Sequence, residues 1–294
     1  MSAPVRIRHR LLTTLAAAAA VGTLAACAPA GGAARAATGT TATGPATTTD
    51  PPAEAGSHTP LSLVVIGDSI AFNSPQDCPG CTGFVDRYAG YVEKQTGRQV
   101  KVQNLSQHNG LTLPMLLAEL DSFRNALSAA DVIVIAVAHN SNELNADKPC
   151  GAPVDADGMP AWKVMTAACA RRSANSYRPQ YDRLFSQVAR WRSGKPTVLR
   201  TVNRYDDWRG APGLALTTRQ LVIVRTFVTT WDEMLCGAAE RASFGCADLH
   251  RAFNGRHYDQ ASGDLLAGDY VHPSDKGNAV IARTLAETGL APIT

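Results

Sequence analysis

A serine near the start of the folded region and an aspartate–histidine pair near its end are the residues best suited to nucleophilic chemistry. Ser69 stands in Gly-Asp-Ser-Ile directly after an apolar run, and Asp269 precedes His272 by three residues. A serine hydroxyl attacks a carbonyl only when a base lies within hydrogen-bond reach and a third group orients that base. We therefore predict Ser69 as nucleophile, His272 as base and Asp269 as orienting acid. A strand-ending turn is the alternative reading of Gly-Asp-Ser.

Five short apolar or β-branched runs alternate with segments of helical periodicity. The runs cover residues 61–66, 99–105, 132–137, 197–202 and 246–253, and the helical segments cover 84–95, 113–127, 176–191, 217–235 and 276–287. This alternation predicts an α/β fold in which helices cover both faces of a parallel sheet. Sites in such sheets form at the carboxyl ends of the strands, so the last loop is expected to return His272 to the edge that carries Ser69.

Groups at the predicted strand ends could also stabilise the oxyanion of a tetrahedral intermediate, which needs hydrogen-bond donors. The candidates are the backbone N–H groups of Ser69 and Gly110 and the side-chain amide of Asn140, with Asn142 as the competitor of Asn140. Each also has a simpler interpretation, since Gly110 suits a plain turn and Asn140 suits a turn or a helix cap.

The order of these segments resembles the SGNH hydrolase family, also called GDSL-type esterases and lipases. Residues 67–70 match its first block, Gly110 its second, Asn140 its third and residues 269–272 its last. The resemblance implies a flavodoxin-like three-layer α/β/α sandwich with a mainly parallel five-stranded sheet. It also implies the triad and oxyanion donors named above, with hydrolysis through an acyl-enzyme. The chain departs from the family's Gly-x-Asn-Asp block, because Ala138 and Ser141 stand at its outer positions.

The first 60 residues are predicted to export the chain rather than to fold. Residues 1–26 begin with arginines, continue as an Ala/Leu-rich run and end before Cys27, which is typical of a lipoprotein signal peptide. An ordinary signal peptide with an incidental cysteine is the alternative. Residues 27–60, rich in Ala, Gly, Thr and Pro, predict a disordered tether, and residues 61–294 predict one hydrolase domain. We expect Cys27 to be acylated and to anchor the domain at the outer face of the cell membrane.

The remaining cysteines predict a disulfide framework, because their number is even and the chain is predicted to be exported. They are Cys78, Cys81, Cys150, Cys169, Cys236 and Cys246, and their spacing favours pairing in sequence order. A redox role for the CxxC at Cys78 is the alternative. The net charge of +3 equals the three arginines of the signal, and the chain has no polybasic run of the kind that binds nucleic acid.

Several residues near the predicted strand ends could contact a substrate. The candidates are His139, Asn203, Tyr205 and Trp208, for which packing or hydrogen bonding within the fold is the alternative. Residues 142–174 are interpreted as an insertion, clipped by Cys150 and Cys169, that walls the site. No group of residues has the ligand spacing of a metal site, and we expect no metal or cofactor.

The leading function from the sequence is a secreted, lipid-anchored serine hydrolase that cleaves carboxylic esters as a monomer. Its partners would be a small-molecule, glycan or lipid ester and, through the anchor, a membrane. One alternative is a binding lipoprotein that keeps this fold but has lost turnover, as the altered third block suggests. The other is an acyltransferase that acts on cell-envelope glycans with the same residues.

Overall fold

The computed structural model describes residues 59–140 and 165–294. The predictions of a signal peptide, of an acylated Cys27 and of most of the tether lie outside the described residues. The same holds for Asn142, for Cys150 and therefore for its pairing with Cys169, and for most of the predicted insertion. Within the described part of the chain, no helix combines the length and apolarity needed to cross a bilayer.

Five parallel strands form the central sheet. They are β1 (Leu61–Gly67), β2 (Val100–Asn104), β3 (Val132–Ala136), β4 (Val198–Val202) and β5 (Gly245–Ala247), arranged in the order β2-β1-β3-β4-β5. Every strand pairing within this sheet is parallel, as the alternation of strands and helices requires. Strands β3 and β4 are buried along their whole length, whereas the edge strand β2 is mostly exposed.

Nine α-helices accompany the sheet in the described residues. They are α1 (Ser69–Phe72), α2 (Phe84–Thr96), α3 (Leu113–Glu119), α4 (Arg124–Ala129), α5 (Ala167–Asn175), α6 (Arg178–Trp191), α7 (Thr218–Arg241), α8 (Leu249–Asn254) and α9 (Asp275–Glu287). Short 3₁₀ turns cover Leu120–Phe123 and Gly263–Leu265. The predicted helix over residues 113–127 is therefore three pieces, because the 3₁₀ turn separates α3 from α4.

Two apolar cores lie on opposite faces of the sheet. Because successive side chains of a strand point to opposite faces, Val64 and Ile66 of β1 join one core while Leu63 and Val65 join the other. The first core is completed by residues of α3 to α7, and the second by residues of α2, α8 and α9. The result is the three-layer α/β/α arrangement that the sequence predicts.

The predicted fifth strand is wrong over most of its length. Strand β5 ends at Ala247, and the following residues form α8 rather than continuing the sheet. The side chain of Asp248 caps α8 by accepting a hydrogen bond from the backbone N–H of Arg251 at 3.0 Å. Leu249 and Phe253, one helical turn apart, are both buried, so a helical period underlies the apolar run that was interpreted as a strand.

Two of the three predicted disulfides lie within the described residues. Cys78 pairs with Cys81 in the loop between α1 and α2, and Cys236 of α7 pairs with Cys246 of β5. The second bond ties the last strand to the long helix that covers one face of the sheet. The first closes a short loop beside the carboxyl end of β1.

Candidate active site

Ser69 sits on a sharp turn between β1 and α1. A Cβ added to Gly67 would lie 2.4 Å from the Cβ of Ala71 and 2.9 Å from the carbonyl oxygen of Ala136, so only glycine fits there. Asp68 is the N-cap of α1, and its Oδ1 accepts a hydrogen bond from the N–H of Ile70 at 3.1 Å. Ser69 is thus the first residue of a one-turn helix at the carboxyl edge of the sheet.

The structure brings Ser69, His272 and Asp269 together although the serine lies about 200 residues from the other two. Oγ of Ser69 lies 2.9 Å from Nε2 of His272, and Nδ1 of His272 lies 2.6 Å from Oδ2 of Asp269. In this arrangement the Nδ1–H donates to the carboxylate and Nε2 accepts the serine hydroxyl hydrogen. The imidazole is therefore placed to take a proton from Ser69.

The charges around the imidazole favour its protonated form. Burial by itself would lower the pKa of His272, but the hydrogen bond that its ring donates to Asp269 and the charges of Asp269, Asp77 and Asp68 outweigh it and raise that pKa above 6.5. Burial also acts to raise the pKa of Asp269. Hydrogen bonds from the His272 ring and from the backbone N–H groups of Val271 and His272 nevertheless hold it below 3.8. The carboxylate is thus ionised and able to stabilise an imidazolium.

The loop that carries Asp269 and His272 is held by hydrogen bonds at both ends. Backbone N–H of Ala267 donates to the carbonyl of His272 at 2.8 Å, and Tyr270 adopts a left-handed φ of 61°. The hydroxyl of Tyr205 donates to the carbonyl oxygen of Val271 at 2.7 Å. These bonds fix the aspartate and histidine relative to the sheet before any ligand arrives.

Asp68 also connects the serine turn to the loop after β3. Its Oδ2 accepts a hydrogen bond from the backbone N–H of His139 at 3.2 Å. Burial raises the pKa of Asp68 to about 6, even though the N–H groups of Ile70, His139, Ala138 and Asn140 act to lower it. One buried carboxyl group therefore positions both the nucleophile and the residue next to Asn140.

Gly110 and Asn140 lie in the loops that follow β2 and β3, as predicted. Gly110 has a φ of 74°, which glycine adopts without the strain that a side chain would bring. The loop after β2 runs alongside the serine turn, because the N–H of Gln107 donates to the carbonyl of Gly67 at 3.0 Å. Both proposed oxyanion donors are thus on loops adjoining the Ser69 turn.

A buried arginine supports the β3 loop from the side opposite Asp68. Nη1 of Arg204 donates to the carbonyl of His139 at 2.9 Å, and Nη2 lies 2.6 Å from Oδ1 of Asp207. The guanidinium also stacks on Trp208, with its Cζ 3.9 Å from the ring centre. Asp232 of α7 accepts the backbone N–H of Arg204 at 2.9 Å. Arg204 lies two residues beyond the end of β4, and no sequence pattern predicted its role.

The four residues suggested for substrate contact are all buried, and three of them have structural partners in place of a ligand. Asn203 caps α8 by accepting the N–H of Leu249 at 2.6 Å. Tyr205 supports the His272 loop and stacks on Phe253, while Trp208 packs against Arg204. The imidazole of His139 lies 4.2 Å from the ring of Tyr205, centre to centre. Burial and the charges of Arg204 and His272 hold its pKa well below 6.5, so it is neutral.

Further residues at the site escaped the sequence analysis. Oδ2 of Asp77 lies 2.8 Å from Nε2 of His108 and 3.4 Å from Nε2 of His272. Phe72, in the same turn of helix as Ser69, is exposed and lies 5.5 Å from the His108 ring, centre to centre. Helix α1 and the loops that follow α1 and β2 supply these groups, so no short motif could have revealed them.

No protein-family model and no curated protein matches the chain, but solved structures do. A lipase, Lip_vut3, from a goat rumen metagenome is 18% identical over 80% of this chain and 100% of its own, with a TM-score of 0.62. A GDSL-like lipase from Parabacteroides merdae is 15% identical over 78% of this chain and 94% of its own, with a TM-score of 0.53. The chain has the GDSL-type hydrolase fold.

An acetyl xylan esterase from Geobacillus stearothermophilus extends the likeness to a carbohydrate esterase. It is 17% identical over 79% of this chain and 94% of its own, with a TM-score of 0.51. The prediction of this fold from the four sequence blocks is confirmed. At such identities the likeness concerns the fold, and the chemistry of this domain follows from its own residues.

Proposed function

We propose that the protein is a serine hydrolase that cleaves carboxylic esters through an acyl-enzyme. The observation that carries this proposal is the chain of contacts from Ser69 Oγ to His272 Nε2 at 2.9 Å and from His272 Nδ1 to Asp269 Oδ2 at 2.6 Å. The similarity in fold to lipases and esterases supports the same reaction class.

The reaction would proceed in two balanced steps. Ser69 Oγ forms a bond to the ester carbonyl carbon while its proton passes to His272 Nε2. The oxyanion accepts hydrogen bonds from the N–H groups of Ser69 and Gly110 and from the amide of Asn140. On collapse the alcohol leaves with the proton from His272. A water then attacks the acyl-enzyme with His272 as base, releasing the acid and restoring Ser69.

Exposed apolar side chains near Ser69 favour an ester with an apolar acyl or alcohol group. Phe72 lies one helical turn from Ser69, and Tyr270 and Val271 lie in the loop that carries His272. Phe72 is 44% exposed, Tyr270 45% and Val271 40%. Single exposed apolar residues are ordinary, but these three come from the two segments that form the triad. They provide a surface on which an apolar group can lie beside the nucleophile.

The direct test is ester hydrolysis by the Ser69→Ala variant. With short p-nitrophenyl esters, kcat/KM is expected to fall by about 10⁴-fold or more, because loss of a triad nucleophile removes the covalent route. Ser122→Ala is the matched control, since Ser122 is exposed and bonds only its own turn. Hydrolysis that survives in Ser69→Ala would reject the proposal. Measuring the free acid and the acylated product in the presence of an added sugar distinguishes hydrolysis from acyl transfer.

We further propose that the hydrolase is exported and anchored through acylated Cys27, on the strength of the sequence pattern alone. Cells that express the full chain with labelled palmitate would incorporate label into the protein, and Cys27→Ala would abolish it. A Cys27→Ala protein that keeps the label would reject the anchor without affecting the catalytic proposal.

A further inference from the structure

Three potential metal ligands lie close together on the Nε2 side of the His272 ring, which also faces Ser69. Oδ2 of Asp77 and the Nε2 atoms of His108 and His272 all lie within 4.8 Å of one another. Two of the separations are 2.8 Å, from Asp77 to His108, and 3.4 Å, from Asp77 to His272. The sequence spacing did not predict this cluster. Spacing rules missed it because the three residues come from distant loops.

Each ligand is held by its own part of the fold. Asp77 immediately precedes Cys78, which pairs with Cys81, and its backbone N–H donates to the carbonyl of Ser74 at 3.0 Å. His108 follows β2, and its ring lies 6.2 Å from that of His272, centre to centre. The three ligands thus come from separate segments of the chain that the fold brings together.

The donor chemistry suits Zn²⁺. Zinc accepts a set of two imidazole nitrogens and one carboxylate oxygen, with the fourth tetrahedral position left open. With bonds of about 2.0–2.1 Å, neighbouring ligand atoms of a tetrahedral zinc lie about 3.3–3.4 Å apart. The 3.4 Å between Asp77 and His272 matches this edge. A modest rotation of the side chains would bring the other two distances between ligand atoms to the same value.

Asp269 completes the arrangement from the far side of the imidazole. By accepting the Nδ1–H of His272 at 2.6 Å, it leaves the lone pair on Nε2 directed at the cluster. A histidine ligand of zinc commonly donates its other ring N–H to a carboxylate in this way. The orientation that makes His272 a base therefore also makes it a metal ligand.

We propose that Asp77, His108 and His272 form an inhibitory Zn²⁺ site. The inhibition rests on the proposed function, because zinc would occupy the Nε2 lone pair that otherwise accepts the Ser69 proton. Ser69 Oγ, 2.9 Å from that nitrogen, lies within reach of the open coordination position. Bound zinc would thus block the base and the nucleophile together, and its removal would restore both.

The test measures metal binding separately from hydrolysis, on protein purified without a histidine tag. Titration of the metal-free protein with Co²⁺ is expected to give the visible absorption of a tetrahedral complex at one ion per chain, displaced by Zn²⁺. Asp77→Asn and His108→Asn should each weaken binding by about 100-fold or more, since losing even an outer-shell partner costs about 10–100-fold. His257→Ala is the matched control, because His257 is exposed and outside the cluster.

Inhibition is then measured as the ratio of ester hydrolysis with and without Zn²⁺ in each variant, which cancels any change in basal rate. Zinc should inhibit the parent protein and His257→Ala equally, and a chelator should reverse this inhibition. In Asp77→Asn and His108→Asn, the potency of zinc as an inhibitor should fall by the same factor as its binding affinity. Equal zinc binding in all variants, or binding without inhibition of an active enzyme, would overturn the proposal. Binding at the cluster by a protein that hydrolyses no ester would instead reject the proposed function.

Discussion

The hydrogen bonds of Asp269 predict that replacing it with Asn harms hydrolysis more than replacing it with Ala. Oδ1 of Asp269 accepts the backbone N–H groups of Val271 and His272, each at 3.0 Å, and Oδ2 faces Nδ1 of His272 at 2.6 Å. An Asn at this position keeps its one carbonyl oxygen against the two N–H donors. Its NH₂ group then faces Nδ1 and forces that nitrogen to accept, which moves the ring hydrogen to Nε2. His272 can no longer take the proton of Ser69.

The size of the effect follows from the same contacts. Two backbone hydrogen bonds of about 1 kcal/mol or more each hold the Asn amide, so the productive tautomer is disfavoured by about 2–3 kcal/mol, or about 100-fold. Loss of the carboxylate charge that stabilises the imidazolium adds about tenfold, giving about 10³-fold for Asp269→Asn. In Asp269→Ala, water can reach Nδ1–H, because the Asp269 side chain is 38% exposed. We expect only about a 10–100-fold loss there.

The assay is kcat/KM for a p-nitrophenyl ester across pH, with thermal melts to show that both variants fold. The base must be neutral, so activity rises with pH through the raised pKa of His272. Removing Asp269 takes away the interactions that raise that pKa, so the acidic limb should move to lower pH in Asp269→Ala. If Asp269→Asn were as active as Asp269→Ala, or more active, the proposed change in the tautomer of His272 would be refuted.

Three other expectations concern the supports of the site. Arg204→Met should lower the free energy of unfolding in urea by about 3–5 kcal/mol, because the carboxylate of Asp207, 6% exposed, is left buried without its partner. Tyr205→Phe removes the bond to the Val271 carbonyl and should cost about 1 kcal/mol of stability and a severalfold loss in kcat. Cys236→Ser opens a loop with a sequence separation of 10 and should destabilise by about 2.5–3 kcal/mol in the oxidised protein.

Each of these has an outcome that contradicts it. Arg204→Met combined with Asp207→Leu should recover at least half of the loss, and no recovery would exclude the buried ion pair as its cause. An unchanged kcat in Tyr205→Phe would mean that the His272 loop keeps its position without the hydroxyl. If a reducing agent lowered the stability of Cys236→Ser as much as that of the parent, the Cys236–Cys246 disulfide would not be the source of the lost stability.

Periodicity and turn chemistry predicted most of the fold. Strands β1, β3 and β4 were predicted to within one residue at either end, because they are buried runs rich in β-branched residues. The segment after β5 was mistaken for strand, since Leu249 and Phe253 could fit either period and the cap at Asp248 was overlooked. The 3₁₀ turn before α4 was missed because its residues, Leu-Asp-Ser-Phe, continue the helical spacing of apolar side chains, although Asp121 and Ser122 are weak helix formers.

The groups that line the site were only partly predictable. Ser69, Asp269 and His272 stand in short local patterns at strand and helix ends, where topology alone indicates that they meet. Asp77 and His108 reach the same place through two unrelated loops, and their pairing depends on side-chain directions that no local pattern encodes. The run after β4 is polar and aromatic, a composition that suits either a pocket lining or a loop packed within the fold. In the structure Arg204 is buried there, and its Nη atoms contact the carbonyl of His139 and the carboxylate of Asp207.

The central claim is that Ser69 is a nucleophile activated by His272. Reaction with a fluorophosphonate, followed by intact mass and peptide mapping, tests it without choosing a substrate. We expect one adduct per chain, located on Ser69, absent in Ser69→Ala and formed at least about 100-fold more slowly in His272→Ala. Label on another residue, or equal labelling rates with and without the imidazole of His272, would contradict the claim.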